Sequence, residues 1–268
     1  YIEYLTHNAI LIGAEFDKIL SIAMVTLLLA MAVRRARRTL FLAVSEASAK
    51  RELSRFFDAG VASRITDGAQ VVMAGQGVGR NAAILFLDVR GFTRLSHELA
   101  PDTLMTLLSA YQATAVPVIQ RAGGTIDKFL GDGIMATFGA TEASDTYAAD
   151  ALRAAEAALA AVDTWNLEQA AIGQPTLRVN AAVATGPLVF GAVGDEGRLE
   201  YTVIGEPVNL AAKLEKHTRD ESVRALATAV AYDLAVAQGY SPVGMVERRA
   251  ARTVAGVDQP VDLVVLKA

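Results

Sequence analysis

Two short segments of this chain carry residue types suited to phosphate and metal chemistry. They are Phe86-Leu-Asp-Val-Arg-Gly-Phe-Thr-Arg94 and Lys128-Phe-Leu-Gly-Asp-Gly133. The first puts a carboxylate, Asp88, at the end of an apolar run. The second puts Asp132 between two glycines, at the tip of an expected hairpin. A Mg²⁺ ion usually takes one or two protein carboxylates and leaves its other positions to phosphate oxygens and water. Two carboxylates on adjacent strand ends therefore suit a divalent cation held against a polyphosphate. Either aspartate alone reads as a turn or cap residue; the pair is what points to chemistry.

The elements that must position these residues emerge from pattern. Ala82 to Leu87 is a short continuous apolar run, which predicts a buried strand. Pro101 to Arg121 has helical spacing at Leu104, Leu107, Leu108, Tyr111 and Val118, with Pro117 as a possible kink and Gly123-Gly124 as the stop. Thr125 to Phe138 reads as strand, Gly-Asp-Gly turn, strand. Asp145 to Ala161 is an alanine-rich helix, and Leu177 to Ala184 is again a strand. The order βαββαβ predicts an α+β, ferredoxin-like core. Next come a second apolar run at Leu188 to Val193, a strand at Tyr201 to Ile204 and a helix from about Pro207 to His217. A helix and two or three strands are expected in the last 50 or so residues.

Together with Glu200-Tyr-Thr-Val-Ile-Gly-Glu-Pro-Val-Asn-Leu-Ala-Ala-Lys-Leu214, these motifs resemble the class III nucleotidyl cyclase family. The resemblance covers residues 80 to 267 and implies conversion of a nucleoside triphosphate to a 3′,5′-cyclic monophosphate and pyrophosphate. It implies two Mg²⁺ or Mn²⁺ ions held by Asp88, Asp132 and the Val89 carbonyl. Gly91-Phe92-Thr93 opens a helix whose free amides can take phosphate oxygens. Base choice falls, by resemblance, to Lys128 and Thr202. Lysine suits an acceptor on adenine, and the subgroup with threonine at the second place is adenylyl, so ATP is the expected substrate. Asn209 matches the asparagine that positions the ribose.

Two positions depart from the family pattern. Lys213 stands where the family usually has arginine, and the exchange loses the bidentate fork. Ala255, in Val254-Ala-Gly-Val257, stands where many members carry a lysine for the terminal phosphates; Arg249 or Arg252 are candidates to replace it. The resemblance also implies a homodimer with two shared sites, one subunit giving Asp88, Lys128 and Asp132 and the other Thr202, Asn209 and Lys213. The competing readings are a weak or inactive cyclase-like regulatory domain and a guanylate cyclase. A diguanylate cyclase is opposed by the lack of a Gly-Gly-Asp/Glu-Glu-Phe signature, and a P-loop ATPase by the lack of Gly-x₄-Gly-Lys-Ser/Thr.

The chain of 268 residues contains no cysteine, which excludes a disulfide framework or thiolate zinc site and fits a reducing compartment. A net charge of −4 gives no pointer to nucleic acid, and His7, His97 and His217 lack metal-ligand spacing. Ile19 to Val33 is uncharged and ends in Arg34-Arg-Ala-Arg-Arg38. Fifteen helical residues rise roughly 23 Å against a hydrocarbon core of ~30 Å, a gap that Lys18 and Arg34 can close by snorkelling. A transmembrane helix at about 17–34 is expected, with a buried core helix as the plainer alternative. A signal h-region is opposed by the charges at the C-terminal end of the run.

The trailing arginines place the downstream chain in the cytoplasm, at the inner membrane of a cell. Residues 1–38 then read as the end of a larger membrane anchor, 39–80 as a linker and 81–268 as the catalytic domain. Leu40 to Ile65 is helical and charged, with Leu42, Leu53, Phe56 and Phe57 as a narrow stripe suited to a parallel helix pair. Ala69 to Arg80, with Gly75-Gln-Gly-Val-Gly79, is expected to be a flexible connector.

Overall fold

The computed structural model describes residues 8–53, 75–195, 199–242, 244 and 246–267. The chain divides into two compact units, Tyr1–Phe57 and Asp58–Ala268. The first contains one long helix, α1 (Asn8–Leu53). Within it, Glu15–Phe41 is 27 residues of mean hydropathy up to 2.0, long and apolar enough to cross a membrane. That segment extends beyond the expected 17–34 because the helix is continuous and brings Phe16, Leu40 and Phe41 into line with the central run. An acidic–basic pair, Lys18 Nζ to Glu15 Oε1 at 2.8 Å, closes its N-terminal end. The large apolar side chains described along it are exposed, so no protein core covers them. The expected linker helix is present as far as Leu53; residues 54–65 and the side chains of Leu42, Leu53, Phe56 and Phe57 lie outside what the structure describes.

In the second unit the elements run β1 (Gly77–Val89), α2 (Phe92–Glu98), α3 (Pro101–Arg121), β2 (Thr125–Leu130), β3 (Gly133–Phe138), α4 (Tyr147–Ala171) and β4 (Val179–Gly194). They continue with β5 (Leu199–Ile204), α5 (Glu206–His217), β6 (Ala225–Thr228), α6 (Ala229–Ala237), β7 (Glu247–Arg252) and β8 (Val261–Lys267). The sheet order is β2-β3-β1-β4-β6-β8-β7, with β5 paired to β4. The first four strands of that order are the expected ferredoxin-like core. β1 runs antiparallel to both β3 and β4, and β6 runs parallel to β4.

Alternate residues of the central strands enter two different cores. Ala181, Val183, Ala225, Ala227 and Val264 pack with α3 and α4. Ala182, Leu226, Leu263 and Val265 pack with Leu214 of α5 on the opposite face. Strands covered on both faces read as unbroken apolar runs, which is why Ala82–Leu87 shows no alternation. Truncating a fully buried member such as Leu85→Ala costs about 2–5 kcal/mol.

Three boundaries differ from expectation. The presumed glycine connector is strand from Gly77 onward, with Gly77 opposite Gly191 of β4. A Cβ on Gly191 would lie 2.2 Å from the Gln76 carbonyl oxygen, so the glycines permit close backbone approach rather than flexibility. Helix α4 continues ten residues past Ala161 because Trp165 is buried and Asn166 bonds both backbone groups of Leu177, at 2.7 and 2.8 Å. Helix α3 runs through Pro117, which is exposed, so water can serve the carbonyl that loses its amide donor.

Candidate active site

The β1–β3 register, with Leu87 opposite Ile134, brings the end of β1 beside the β2–β3 turn. Leu130 pairs with Gly133, leaving Gly131 and Asp132 as the two loop residues, and Gly131 takes φ +67, which glycine accepts without strain. A Cβ on Gly133 would stand 3.3 Å from Asp88 Oδ1, so this glycine leaves room for the carboxylate. The Val89 amide donates to Asp132 Oδ2 at 3.2 Å and fixes its direction.

Burial, then Glu215, then Asp132 push the Asp88 pKa up to about 7. Glu215, buried on the inner face of α5, is itself raised by burial. Beneath them lies Tyr111, fully buried, its hydroxyl without a hydrogen-bond partner among the described residues and its pKa raised by burial and by the same three carboxylates. A divalent ion held by Asp88 and Asp132 would offset the mutual repulsion of these carboxylates. Asp88 and Asp132 also line a cleft of about 630 Å³ with Gly91, Phe92, Thr93 and Arg219. Gly91, at φ +77, starts α2 and leaves the Phe92 and Thr93 amides at the open end of that helix.

Lys128 is elsewhere. Its ammonium donates to Glu200 of β5 and lies 3.6 Å from Asp127. The Thr202 hydroxyl donates to Asp127 Oδ2 at 2.9 Å. The expected grouping of Lys128 with Asp88 and Asp132 is therefore corrected: Lys128 belongs with Thr202. The strand carries a register shift between Ile126 and Lys128, which sets Asp127 and Lys128 together against β5. Neither Lys128, Thr202, Asn209 nor Lys213 lines the cleft of the two aspartates.

On α5, Asn209 is exposed, and Lys213 four residues on donates to the Gly256 carbonyl, in the turn that carries Ala255. The expected phosphate role of Arg249 and Arg252 meets a competing partner. Arg249 Nη1 donates to Glu221 Oε2 at 2.7 Å, and Arg252 Nε to Glu221 Oε1 at 2.6 Å. His217 Nε2 completes the cluster, 2.9 Å from the same carboxylate. Although burial works the other way, these partners bring the Glu221 pKa down to about 2. A buried carboxylate needs such compensation, so the structure commits both arginines to Glu221.

Sequence reasoning missed Glu215, Tyr111, Asp127 and Glu200 as neighbours of the site. Helical spacing from Asn209 puts Glu215 on the inward face of α5, and a charge there was the available signal.

The model of the adenylate and guanylate cyclase catalytic domain matches residues 77–250. An adenylate cyclase of Anabaena cylindrica is 34% identical over 165 residues, 60% of this chain and 32% of that protein. Adenylate cyclase 1 of Rhizobium meliloti (strain 1021) is 34% identical over 144 residues, 54% of this chain and 22% of that protein. The chain thus spans a third or less of the length of these relatives. Among solved structures, the adenylyl cyclase CyaB from P. aeruginosa aligns with TM-score 0.62 and 29% identity, over 72% of this chain and 96% of its own. The guanylyl cyclase Cya2 aligns with TM-score 0.61 and 28% identity, over 70% and 92%.

Proposed function

Because the chain belongs to the adenylate and guanylate cyclase catalytic-domain family, we propose that it is an adenylate cyclase, forming 3′,5′-cyclic AMP and pyrophosphate from ATP in a homodimer. The ribose 3′-oxygen attacks the α-phosphorus in line, and pyrophosphate leaves. Asp88 and Asp132, with the Val89 carbonyl, would hold two Mg²⁺ or Mn²⁺ ions, which when bound would lower the pKa of the attacking hydroxyl and neutralise the leaving group. The open amides at Gly91-Phe92-Thr93 receive phosphate oxygens. Lys128 donates to a ring acceptor of adenine and Thr202 accepts from its amino group. Asn209 orients the ribose, and Lys213 supplies charge at the α-phosphate once it leaves the Gly256 carbonyl.

One observation carries the shared-site reading: within one chain, the cleft of Asp88 and Asp132 is lined by none of Lys128, Thr202, Asn209 and Lys213. Two halves that do not meet in one subunit meet when a second copy is related by a two-fold axis. Exposed Phe129, Leu130, Val189, Val193 and Ile204 on β2, β4 and β5 offer apolar surface for that copy. Helix α1 anchors the assembly in a bilayer, with the arginines at 34–38 and the catalytic domain on the cytoplasmic side.

A guanylate cyclase is the second reading. The likeness to Cya2 is nearly that to CyaB, and Glu200 beside Lys128 offers guanine an acceptor. Incubating the purified protein with ATP or GTP and Mg²⁺ or Mn²⁺, then identifying the product, separates the two. Cyclic AMP is expected; cyclic GMP as the main product favours the alternative, and no product favours a regulatory domain.

A further inference from the structure

The side-chain contact between β2 and β5 contains a residue that no catalytic role has yet used. β5 presents Glu200 and Thr202, two residues apart and so on one face. Opposite them stand Asp127 and Lys128, which are consecutive and would ordinarily point to opposite faces. They reach the same strand because β2 bulges: Ile126 pairs with Ala136 and Lys128 with Met135, leaving Asp127 as the extra residue. The result is two cross-strand contacts side by side, Lys128 to Glu200 and Thr202 to Asp127.

We propose that Asp127 is a specificity-positioning residue that fixes the polarity of the Thr202 hydroxyl and so makes the base site select an amino group over a carbonyl. The inference rests on the reading that Lys128 and Thr202 hold the base. A threonine hydroxyl has one proton and two lone pairs. Asp127 Oδ2 takes the proton at 2.9 Å, so only lone pairs remain for a ligand. Such a hydroxyl accepts from the exocyclic amine of adenine and has nothing to donate to the carbonyl of guanine. Rotation to serve guanine would strip Asp127 of this donor and leave it only the Lys128 ammonium at 3.6 Å. The Asp127 side chain is 4% exposed, and losing a hydrogen bond to a buried charged group costs ~1–3 kcal/mol, or roughly 5- to 150-fold. The discrimination is therefore built into the side-chain contact of β2 with β5 before any nucleotide arrives.

The test is nucleotide preference, read as the ratio of affinities for the non-cyclisable probes 3′-deoxy-ATP and 3′-deoxy-GTP with Mn²⁺, and as the ratio of kcat/KM for ATP and GTP. Asp127→Ala frees the hydroxyl and should lower the adenine-to-guanine ratio by roughly 5- to 150-fold. Asp127→Asn retains an acceptor oxygen beside Lys128 and should keep most of the preference. Where Asp127→Ala fails to fold, Asp127→Leu fills the volume without an acceptor. Thr202→Ala should lose the preference alone, and adding Asp127→Ala to it should change the ratio no further. A purely structural Asp127 would lower both affinities equally and leave the ratio intact, which overturns the proposal. If Thr202→Ala and Lys128→Ala also leave the ratio untouched, the location of the base site is wrong as well. If Thr202→Ala moves the ratio and Asp127→Ala does not, only the role of Asp127 falls.

Discussion

Two groups of acidic residues in the catalytic unit differ in one respect. Around Glu221, two guanidiniums and an imidazole surround one buried carboxylate, and its pKa falls to about 2. Around Asp88, carboxyl groups face one another, and the pKa of Asp88 rises to about 7. The first group has its charge matched by the fold and works as a clamp between the end of α5 and β7. In the second, Arg90, Lys216 and Arg219 act on Glu215, but burial and the neighbouring carboxyls still dominate at Asp88, which costs the fold stability and suits the site to a cation. A buried acid with its counter-charges supplied is evidence of architecture; one without them is evidence of a ligand.

The largest effect expected from breaking this contrast lies at the unmatched group. Asp88→Ala or Asp132→Ala should lower cyclase activity by at least roughly 10²- to 10³-fold, as loss of a main transition-state charge partner does. The same variants should melt no lower than wild type, because a repelling carboxylate has gone, and should lose the rise in Tm that Mn²⁺ gives the wild type. Activity retained in either variant, measured on folded dimer, removes these residues from the metal role.

At the matched group the pattern reverses. Arg252→Ala should cost about 1–3 kcal/mol of stability, the range for one hydrogen bond to a charged group, because Arg249 and His217 still hold Glu221, with activity kept well below the melting point. The pH dependence has a definite sign. The folded pKa of Glu221 is depressed, so its contribution is present above the unfolded value of about 4.5 and is lost as pH falls from there toward about 2. Asp88 runs the other way: with a folded pKa raised to about 7, its contribution is present below about 4 and is lost as pH rises through 7. Denaturant titrations of wild type and Glu221→Gln across pH 2 to 5 should show a shallower slope in the variant; equal slopes would contradict the assignment.

A smaller effect is expected at Lys213, whose ammonium is already satisfied by the Gly256 carbonyl. Lys213→Ala should lower kcat by roughly 10- to 150-fold with less change in KM, the range for a hydrogen bond to a charged group that strengthens in the transition state. Arginine should be tolerated there. Steady-state kinetics decide it, and a pure KM effect would make Lys213 a ground-state binder only.

Much of the fold was legible because it is written locally. The Ala82–Leu87 run, the Gly-Asp-Gly turn and the helix ahead of Gly123-Gly124 each announce themselves within a few residues. What was missed is written between distant segments. Gly77 looks like a connector until Gly191 is placed opposite it. The bulge at Asp127 exists only in the pairing of β2 with β3. Arg249 and Arg252 look free until Glu221 is brought to them by the packing of β7. The candidate site shows the same division: its two aspartates sit in recognisable local motifs, while the true partner of Lys128 depends on where β5 folds back.

If each site is built from two subunits, one experiment reaches that claim directly. Asp132→Ala damages the metal half and Asn209→Ala the ribose half, so each homodimer alone should be nearly inactive. Co-expressed with random pairing, about half the dimers are mixed, and each mixed dimer has one undamaged site of two, so cyclase activity should recover to about a quarter of wild type. Lys128→Ala, on the Thr202 side of the site, should complement Asp132→Ala equally well and fail to complement Asn209→Ala. Activity that stays at the single-variant level in the Asp132→Ala and Asn209→Ala pair, with mixed dimers shown to form, would place both residues in one subunit's site and contradict the shared-site claim.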